Sequence, residues 1–341
     1  MRIGFTQFGD PEKVLGVLKL PEPHPGPGQV RIRTVAADIK VSETMLCMGY
    51  LVGQVDAAVP SETAPVVAGW DLSGVIDEVG PGAQKCFAPG DSVIAVVDSY
   101  SGRGAHAEYV VADVASVVLA PKGKSFVEAA SFLTNALTAR VWLDALGLVA
   151  GETVAITGGA GTVGGFVIEL AKERGLHVVV DAKESDRAFL EQLAADVIVD
   201  RTDDFAGEVI EAVGPVHGLI DAANVADCAL LRAVQAGRTA VSARMQTGHT
   251  DHGVHWTPVF VENFHAETIC WNKCATSPRQ CAHIARSRHR SARTGVERLP
   301  AAHARRSAGT IGSCLLTDRA TGRLCRESRS VDTGSVQPRL S

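Results

Sequence analysis

Gly159, Ala160, Gly161, Thr162, Val163 and Gly164 follow the spacing G-x-G-x-x-G. They come directly after an apolar run, Thr153–Thr157, and ahead of a stretch in which Val163, Phe166, Val167, Leu170 and Ala171 recur at helical spacing. A strand that turns through glycines into a helix can hold phosphate. Gly159 is expected to make the tight turn, Gly161 to let backbone approach a pyrophosphate with no Cβ in the way, and Gly164 to let helix pack closely on strand. The helix N-terminus adds free N–H groups and partial positive charge. Such a cradle retains a dinucleotide and therefore a carrier of hydride.

Three further positions bear on that ligand. Asp181 closes the next strand run, 22 residues after Gly159, near the ~20-residue offset at which an acid accepts hydrogen bonds from ribose hydroxyls. It favours NADH, because a carboxylate repels a 2′-phosphate. Lys183 and Arg187 follow closely, and either can pair with such a phosphate, so NADPH stays open. Asn224 lies at the carboxyl end of a strand run over 218–222, where open parallel sheets bind ligands.

The elements that must position these residues alternate regularly. Strand runs over 153–157, 177–181, 197–199, 218–222 and 239–243 are separated by helical stretches at 162–174, 185–195, 205–213 and 227–235, with Gly175 placed to end the first. This order predicts parallel strands with right-handed crossovers, a doubly wound α/β sheet. Ser125 and Glu128 have capping-box spacing and open a linking helix toward Leu146. Ahead of it, short strand runs at 30–35, 72–79, 92–97 and 107–111, separated by Gly80-Pro81-Gly82 and Pro89-Gly90-Asp91, predict a compact, mostly β, partly antiparallel domain. That domain is the expected substrate side.

With these residues in view, 1–268 resembles the medium-chain dehydrogenase/reductase superfamily, particularly its zinc-independent quinone oxidoreductase branch, which includes the zeta-crystallins. The resemblance rests on Ala68-Gly69-Trp70-Asp71-Leu72-Ser73-Gly74-Val75-Ile76 with Val79-Gly80 and Gly90-Asp91, on Asn135-Ala136-Leu137-Thr138-Ala139, and on 156–164. It implies a GroES-like substrate domain over 1–122, a Rossmann domain over 123–250, a return toward the substrate domain over 251–268, NAD(P)H in the cleft and, frequently, a homodimer. Zinc-dependent relatives place a Cys ligand where Lys40 stands and a His-Glu pair where Trp70-Asp71 stands, and neither Lys nor Trp can replace a thiolate or imidazole on zinc. No cysteine falls in 92–111, where a four-cysteine lobe would lie, and Cys270, Cys274 and Cys281 have no recurring ligand spacing. No metal is expected. In the quinone oxidoreductase branch an Asn stands at the place of Lys40 and a Tyr near Tyr50, both beside the nicotinamide, and Thr138 resembles a threonine there. A lysine at that place can donate to a carbonyl oxygen as negative charge develops on it; a surface lysine and a packed tyrosine with purely structural roles are the alternative.

Composition sets the outer limits. At 341 residues the chain exceeds one core of about 100–200 residues, so two domains are expected. There is no uncharged apolar run of ~18 residues and no signal-peptide pattern in 1–20, which predicts a cytoplasmic protein with no membrane partner. The eight cysteines are irregularly spaced and read as free thiols. From Ile269 onward the composition changes: 14 of the 33 Lys and Arg but only 4 of the 38 Asp and Glu lie there, with five of the eight cysteines and no Phe or Tyr. This basic tail is expected to be irregular or disordered, and its abundance of Arg with a single Lys is what a shifted reading of a GC-rich gene produces. A nucleic-acid arm would call for interleaved aromatics, which the tail lacks. The function expected is NAD(P)H-dependent reduction of a quinone, enone or similar small carbonyl substrate without zinc. The alternatives are a non-enzymatic dinucleotide-binding protein and, behind it, a zinc-type alcohol dehydrogenase.

Overall fold

Val30 and Ile32 alternate with polar residues along β3, so one face of that strand is fully buried while Arg31 and Arg33 face outward. The same alternation organises the N-terminal half of a computed structural model that describes residues 1–53, 56–225, 227–242, 248–249, 253–259 and 315–316. Strands β1 (Arg2–Phe5), β2 (Gly16–Leu18), β3 (Gln29–Ala37), β4 (Val66–Val67), β5 (Asp71–Val79), β6 (Ser92–Val96), β7 (Tyr109–Asp113) and β8 (Val117–Leu119) make two antiparallel sheets. In the larger, β7 pairs with β3, β3 with β5, β5 with β6 and β6 with β8. Their inward residues Val30, Ile32, Leu72, Ile76, Val93, Ala95, Val110 and Val117 form one core. Two short helices, α1 (Pro11–Val14) and α2 (Val41–Cys47), lie outside it.

The linking helix is two helices. Ser125 and Glu128 do form a capping box, but they open only α3 (Phe126–Ala130), and α4 runs from Leu133 to Leu146. The break has a long-range cause. The Asp71 carboxylate accepts from both the Thr134 N–H (3.3 Å) and its hydroxyl (2.6 Å), so an acid at the start of β5 supplies an acceptor to the first turn of α4.

Beyond α4 the chain alternates as the periodicity predicts. The strands are β9 (Thr153–Thr157), β10 (His177–Ala182), β11 (Val197–Asp200), β12 (Val216–Asp221), β13 (Val234–Ser242), β14 (Gly248–His249) and β15 (His255–Thr257), with helices α5 (Thr162–Glu173), α6 (Arg187–Gln192) and α7 (Phe205–Val213). Spatial order is β11-β10-β9-β12-β13-β15-β14, parallel throughout except for β14 at the edge. Both faces of the central strands are covered, so Val154, Ala155, Ile156, Val178, Val179, Val180, Leu219 and Ile220 are wholly buried.

Three expectations change. The stretch 227–235 is a 3-10 turn, Cys228–Ala233, because Asp227 caps it and Val234 must already pair with Val216. The helix expected over 185–195 is shortened to α6, preceded by a 3-10 turn at Glu184–Asp186. Residues 255–257, expected to lead back to the substrate domain, instead add β15 to the parallel sheet beside β13, where Trp256 is buried. Of the basic tail only Leu315–Leu316 is described, as a short strand β16 antiparallel to Ala36–Ala37; the expectations for the rest of it lie outside the described residues. Among the described residues no helix is long and apolar enough to cross a membrane.

Candidate functional site

The order of β11, β10, β9, β12, β13 and β15 reverses direction between β9 and β12, and at such a switch point the carboxyl ends of neighbouring strands open a crevice. The turn after β9 fills one side of it. Gly158, not Gly159, takes the left-handed conformation (φ 69°), and a Cβ there would lie 2.8 Å from the Ala223 nitrogen. Gly159 serves packing: its Cβ would sit 2.1 Å from Val180 Cγ2 on β10. Gly164 likewise has no room, since a Cβ would fall 2.3 Å from the Gly158 oxygen. Gly161 is the N-cap of α5 and brings no side-chain cap to it, so Thr162 and its neighbours begin the helix with N–H groups facing the crevice. Ala160 and Val163 pack against the core beneath.

The other side of the crevice is the turn after β12. Asp221 is fully buried and accepts from the Thr157 hydroxyl (2.7 Å), the Ser242 hydroxyl (3.1 Å) and the Val225 N–H (3.1 Å), while the Ala223 N–H donates to Thr157 Oγ1 (3.2 Å). This network ties β9, β12 and β13 together and fixes Asn224 in a left-handed conformation (φ 62°). Asn224 Oδ1 is buried with no hydrogen-bond partner among the described residues. A buried acceptor without a donor, an uncapped helix start and a backbone surface free of Cβ atoms fit a ligand that brings hydroxyl or amide donors and phosphate.

At the far end of β10, Asp181 is not a free carboxylate. Oδ1 accepts from the Gly158 N–H (2.7 Å) and Oδ2 from Arg201 Nε, just past β11. The expectation that Asp181 favours NADH assumed an unpaired charge, which the ion pair removes. Arg187 is committed elsewhere, to Asp200, Glu184 (3.2 Å) and the Ile198 carbonyl (3.2 Å). Lys183 is exposed.

A second polar cluster lies where the end of β3 and the start of β5 meet α2. Lys40, at the N-cap of α2, makes ion pairs with Asp38 (2.5 Å) and Asp71 (2.9 Å), and all three are largely buried. Burial alone would push the ammonium down, but Asp71 and Asp38 outweigh it and hold Lys40 above the ordinary lysine range. Burial raises Asp71 against the pull of Lys40. Glu43, one turn into α2, is pushed up to about 8 by burial, opposed by Lys40 and reinforced by Asp38 and Asp71. His106 Nε2 lies 2.9 Å from the Asp38 carbonyl and 3.7 Å from Glu43, and burial holds its pKa low. Thr138 donates to the Thr134 carbonyl (2.7 Å) within α4, one turn beyond the Thr134 hydroxyl that Asp71 accepts. Trp70 is buried edge-on to Tyr100 at 4.3 Å, whereas Tyr50 is 61% exposed. Thus Lys40 joins a cluster the sequence reading did not contain, Thr138 connects to it through Thr134, and Tyr50 stands at the surface.

Residues 26–122 match the family described as the alcohol dehydrogenase GroES-like domain. The chain is 28% identical over 207 residues to the human mitochondrial NAD(P)H oxidoreductase RTN4IP1, covering 57% of this chain and 52% of that protein. It is 34% identical over 145 residues to the 2-methylene-furan-3-one reductase of Solanum lycopersicum, covering 40% and 37%. The chain spans about half the length of the curated relatives it matches. Its structure aligns with the quinone oxidoreductase of Coxiella burnetii at a TM-score of 0.64 and 25% identity, over 80% of this chain and 87% of that one.

Proposed function

We propose that this chain, which is similar to medium-chain dehydrogenases/reductases, is an NAD(P)H-dependent reductase of a quinone, enone or similar small carbonyl compound, working without zinc. The observation that carries this reading is the crevice between β9 and β12, where the glycine turn meets an orphaned acceptor on Asn224. The turn at 158–164 and the start of α5 would hold the pyrophosphate, and Asn224 would accept from the nicotinamide end. When bound, the cofactor supplies the hydride.

The protein's own contribution is placement and charge. The network around Asp221 keeps Asn224 fixed and costs no rearrangement on binding. Lys40 spends two of its three donors on Asp38 and Asp71, leaving one N–H for a carbonyl oxygen that gains negative charge. Its high pKa makes it a fixed donor of a hydrogen bond rather than a donor of a proton. The permanent ammonium at this place also supports the zinc-free reading, because a cation repels a second cation and offers it no lone pair. A dinucleotide-binding protein without turnover is the second reading, favoured by the two carboxylates that already neutralise Lys40.

The test is reduced-cofactor oxidation by purified protein with a quinone and with an enone, each with and without chelator. Turnover that survives chelation is expected. Loss of turnover restored by zinc would overturn the metal-free mechanism, and tight cofactor binding without turnover on either acceptor would favour the second reading.

A further inference from the structure

Glu43 sits in the Lys40 cluster without the donors that an ionised carboxylate needs. It is only 5% exposed, and Oε1 has no hydrogen-bond partner among the described residues. His106 does not supply one: its Nε2 lies 2.9 Å from the Asp38 carbonyl, which can only accept, so the ring proton belongs to that bond, and Glu43 is 3.7 Å away. The Lys40 ammonium is taken by Asp38 and Asp71. A third negative charge buried beside two carboxylates and a single cation is costly, whereas a carboxylic acid there is neutral. Its O–H then finds no acceptor in the protein, and a buried polar group of that kind calls for a partner from solvent or ligand.

We infer that Glu43 is the proton store of the site, the acid that supplies the proton consumed when the substrate carbonyl is reduced, while Lys40 only holds the oxygen. The inference rests on the reductase reading proposed above. Reduction adds a hydride to carbon and a proton to oxygen, and only the first comes with the cofactor. Lys40 is a poor source of the second, because a neutral amine beside Asp38 and Asp71 is strongly disfavoured. In the step, the C=O π bond opens as hydride reaches carbon, and the Lys40 N–H steadies the negative oxygen. The Glu43 O–H bond then breaks, its proton joins that oxygen through one bridging water, and a Glu43 carboxylate is left for solvent to reprotonate. Burial, opposed by Lys40 and reinforced by Asp38 and Asp71, pushes Glu43 up to about 8, close to neutral pH, where a general acid is most effective. The remaining groups facing it are unsuited to the task. Cys47, four residues along α2, is pushed up to about 11 by burial and by Glu43, and His106 is held neutral by burial with its proton on Asp38.

The experiment has two arms. In the first, infrared difference spectra of the unliganded full chain follow the carboxylic-acid C=O absorption against pH, with Glu43→Gln as the blank, and no turnover is required. Wild type should show a protonated carboxyl at neutral pH that titrates away near pH 8, and the variant should lack it. In the second, oxidation of reduced cofactor by a quinone and by an enone is measured against pH. Glu43→Gln should lower kcat roughly a hundredfold, the lower end of what general acid catalysis contributes, with KM for the cofactor unchanged. It should also lose the fall in rate that wild type shows as pH rises through about 8. Glu43→Asp keeps an acid on a shorter arm and should recover part of kcat together with the pH dependence, which a residue needed only for packing would not do. Absence of a protonated Glu43 at neutral pH, or a Glu43→Gln variant with the kcat and pH profile of wild type, would overturn the proposal and leave the reductase reading standing. Absence of wild-type turnover on both acceptors would overturn that reading and this proposal with it.

Discussion

In the turn at 158–164, backbone makes the site: glycines bring the Gly158 carbonyl, the start of α5 and β10 within contact distance, and any added carbon meets main chain or the tight Val180 packing. The Lys40 cluster is built in the opposite way. Asp38 and Lys40 follow β3, Glu43 sits in α2, Asp71 opens β5, His106 precedes β7 and Thr134 starts the turn of α4. There, side chains from distant segments enclose one ammonium. The first region should therefore be broken by added atoms and the second by removed charge.

The largest effect is expected at Gly164. In Gly164→Val the new Cβ would lie 2.3 Å from the Gly158 oxygen and 2.8 Å from Gly159 Cα, atoms that cannot rotate away, so a loss of roughly 3 kcal/mol or more is expected. Gly161→Val is the matched control, because its Cβ approaches the same oxygen only to 3.1 Å. It should stay folded and lose dinucleotide binding. Thermal melts of the two variants separate these outcomes, and equal melting of Gly164→Val and wild type would break the close-packing claim.

Next comes Lys40→Met. Removing the ammonium leaves Asp38 and Asp71 without their partner, a change that typically costs about 3–5 kcal/mol when the pair is buried. Adding Asp71→Asn should recover part of the loss, since the amide can still accept from the Thr134 hydroxyl. Denaturant unfolding of the single and double variants measures the coupling. A single variant as stable as wild type would mean that the cluster contributes no net stability.

The same contrast explains what could be read from sequence. Strand and helix alternation is local, so the order of β9 to β12 and the place of the glycine turn followed from periodicity and one motif. Even there, the adjacent glycines 158 and 159 allowed two registers, and the left-handed residue is the one the template skips. Arg201 was missed because the relevant distance is across strands: the parallel register sets Asp181 beside Val199, which brings the end of β11 to the acid. No fixed offset from the motif encodes that. Lys40, Asp71 and Glu43 each read locally as ordinary polar residues, and only the antiparallel pairing of β3 with β5 brings Asp71 to Lys40. The split between α3 and α4 has the same origin, an acceptor 63 residues away.

The smallest effect, and the one most specific to the side-chain cluster, is a pH dependence from Glu43. Its carboxyl is faced by Lys40, which favours the charged form, by Asp38 and Asp71, which oppose it, and by His106 at 3.7 Å. Burial dominates, and the folded-state pKa is pushed up from the ordinary glutamate value of 4.5 to about 8. Between those values the folded protein keeps the proton and the unfolded chain releases it, so stability falls as pH rises through that window and levels off above it. The slope approaches about 1.4 kcal/mol per pH unit at most, or roughly 2 kcal/mol between about pH 5.5 and about pH 7. Glu43→Gln keeps the shape and cannot ionise, so its stability should lose this slope and exceed that of wild type at the upper end of the window. His106 works in the other direction: it is held neutral by burial, and its contribution fails on acidification, so the comparison is made as a difference between Glu43→Gln and wild type at each pH. Parallel stability curves for the two proteins from about pH 5.5 to about pH 8 would show that Glu43 is ionised in the fold, and that the cluster holds its net charge by a different arrangement from the one its burial implies.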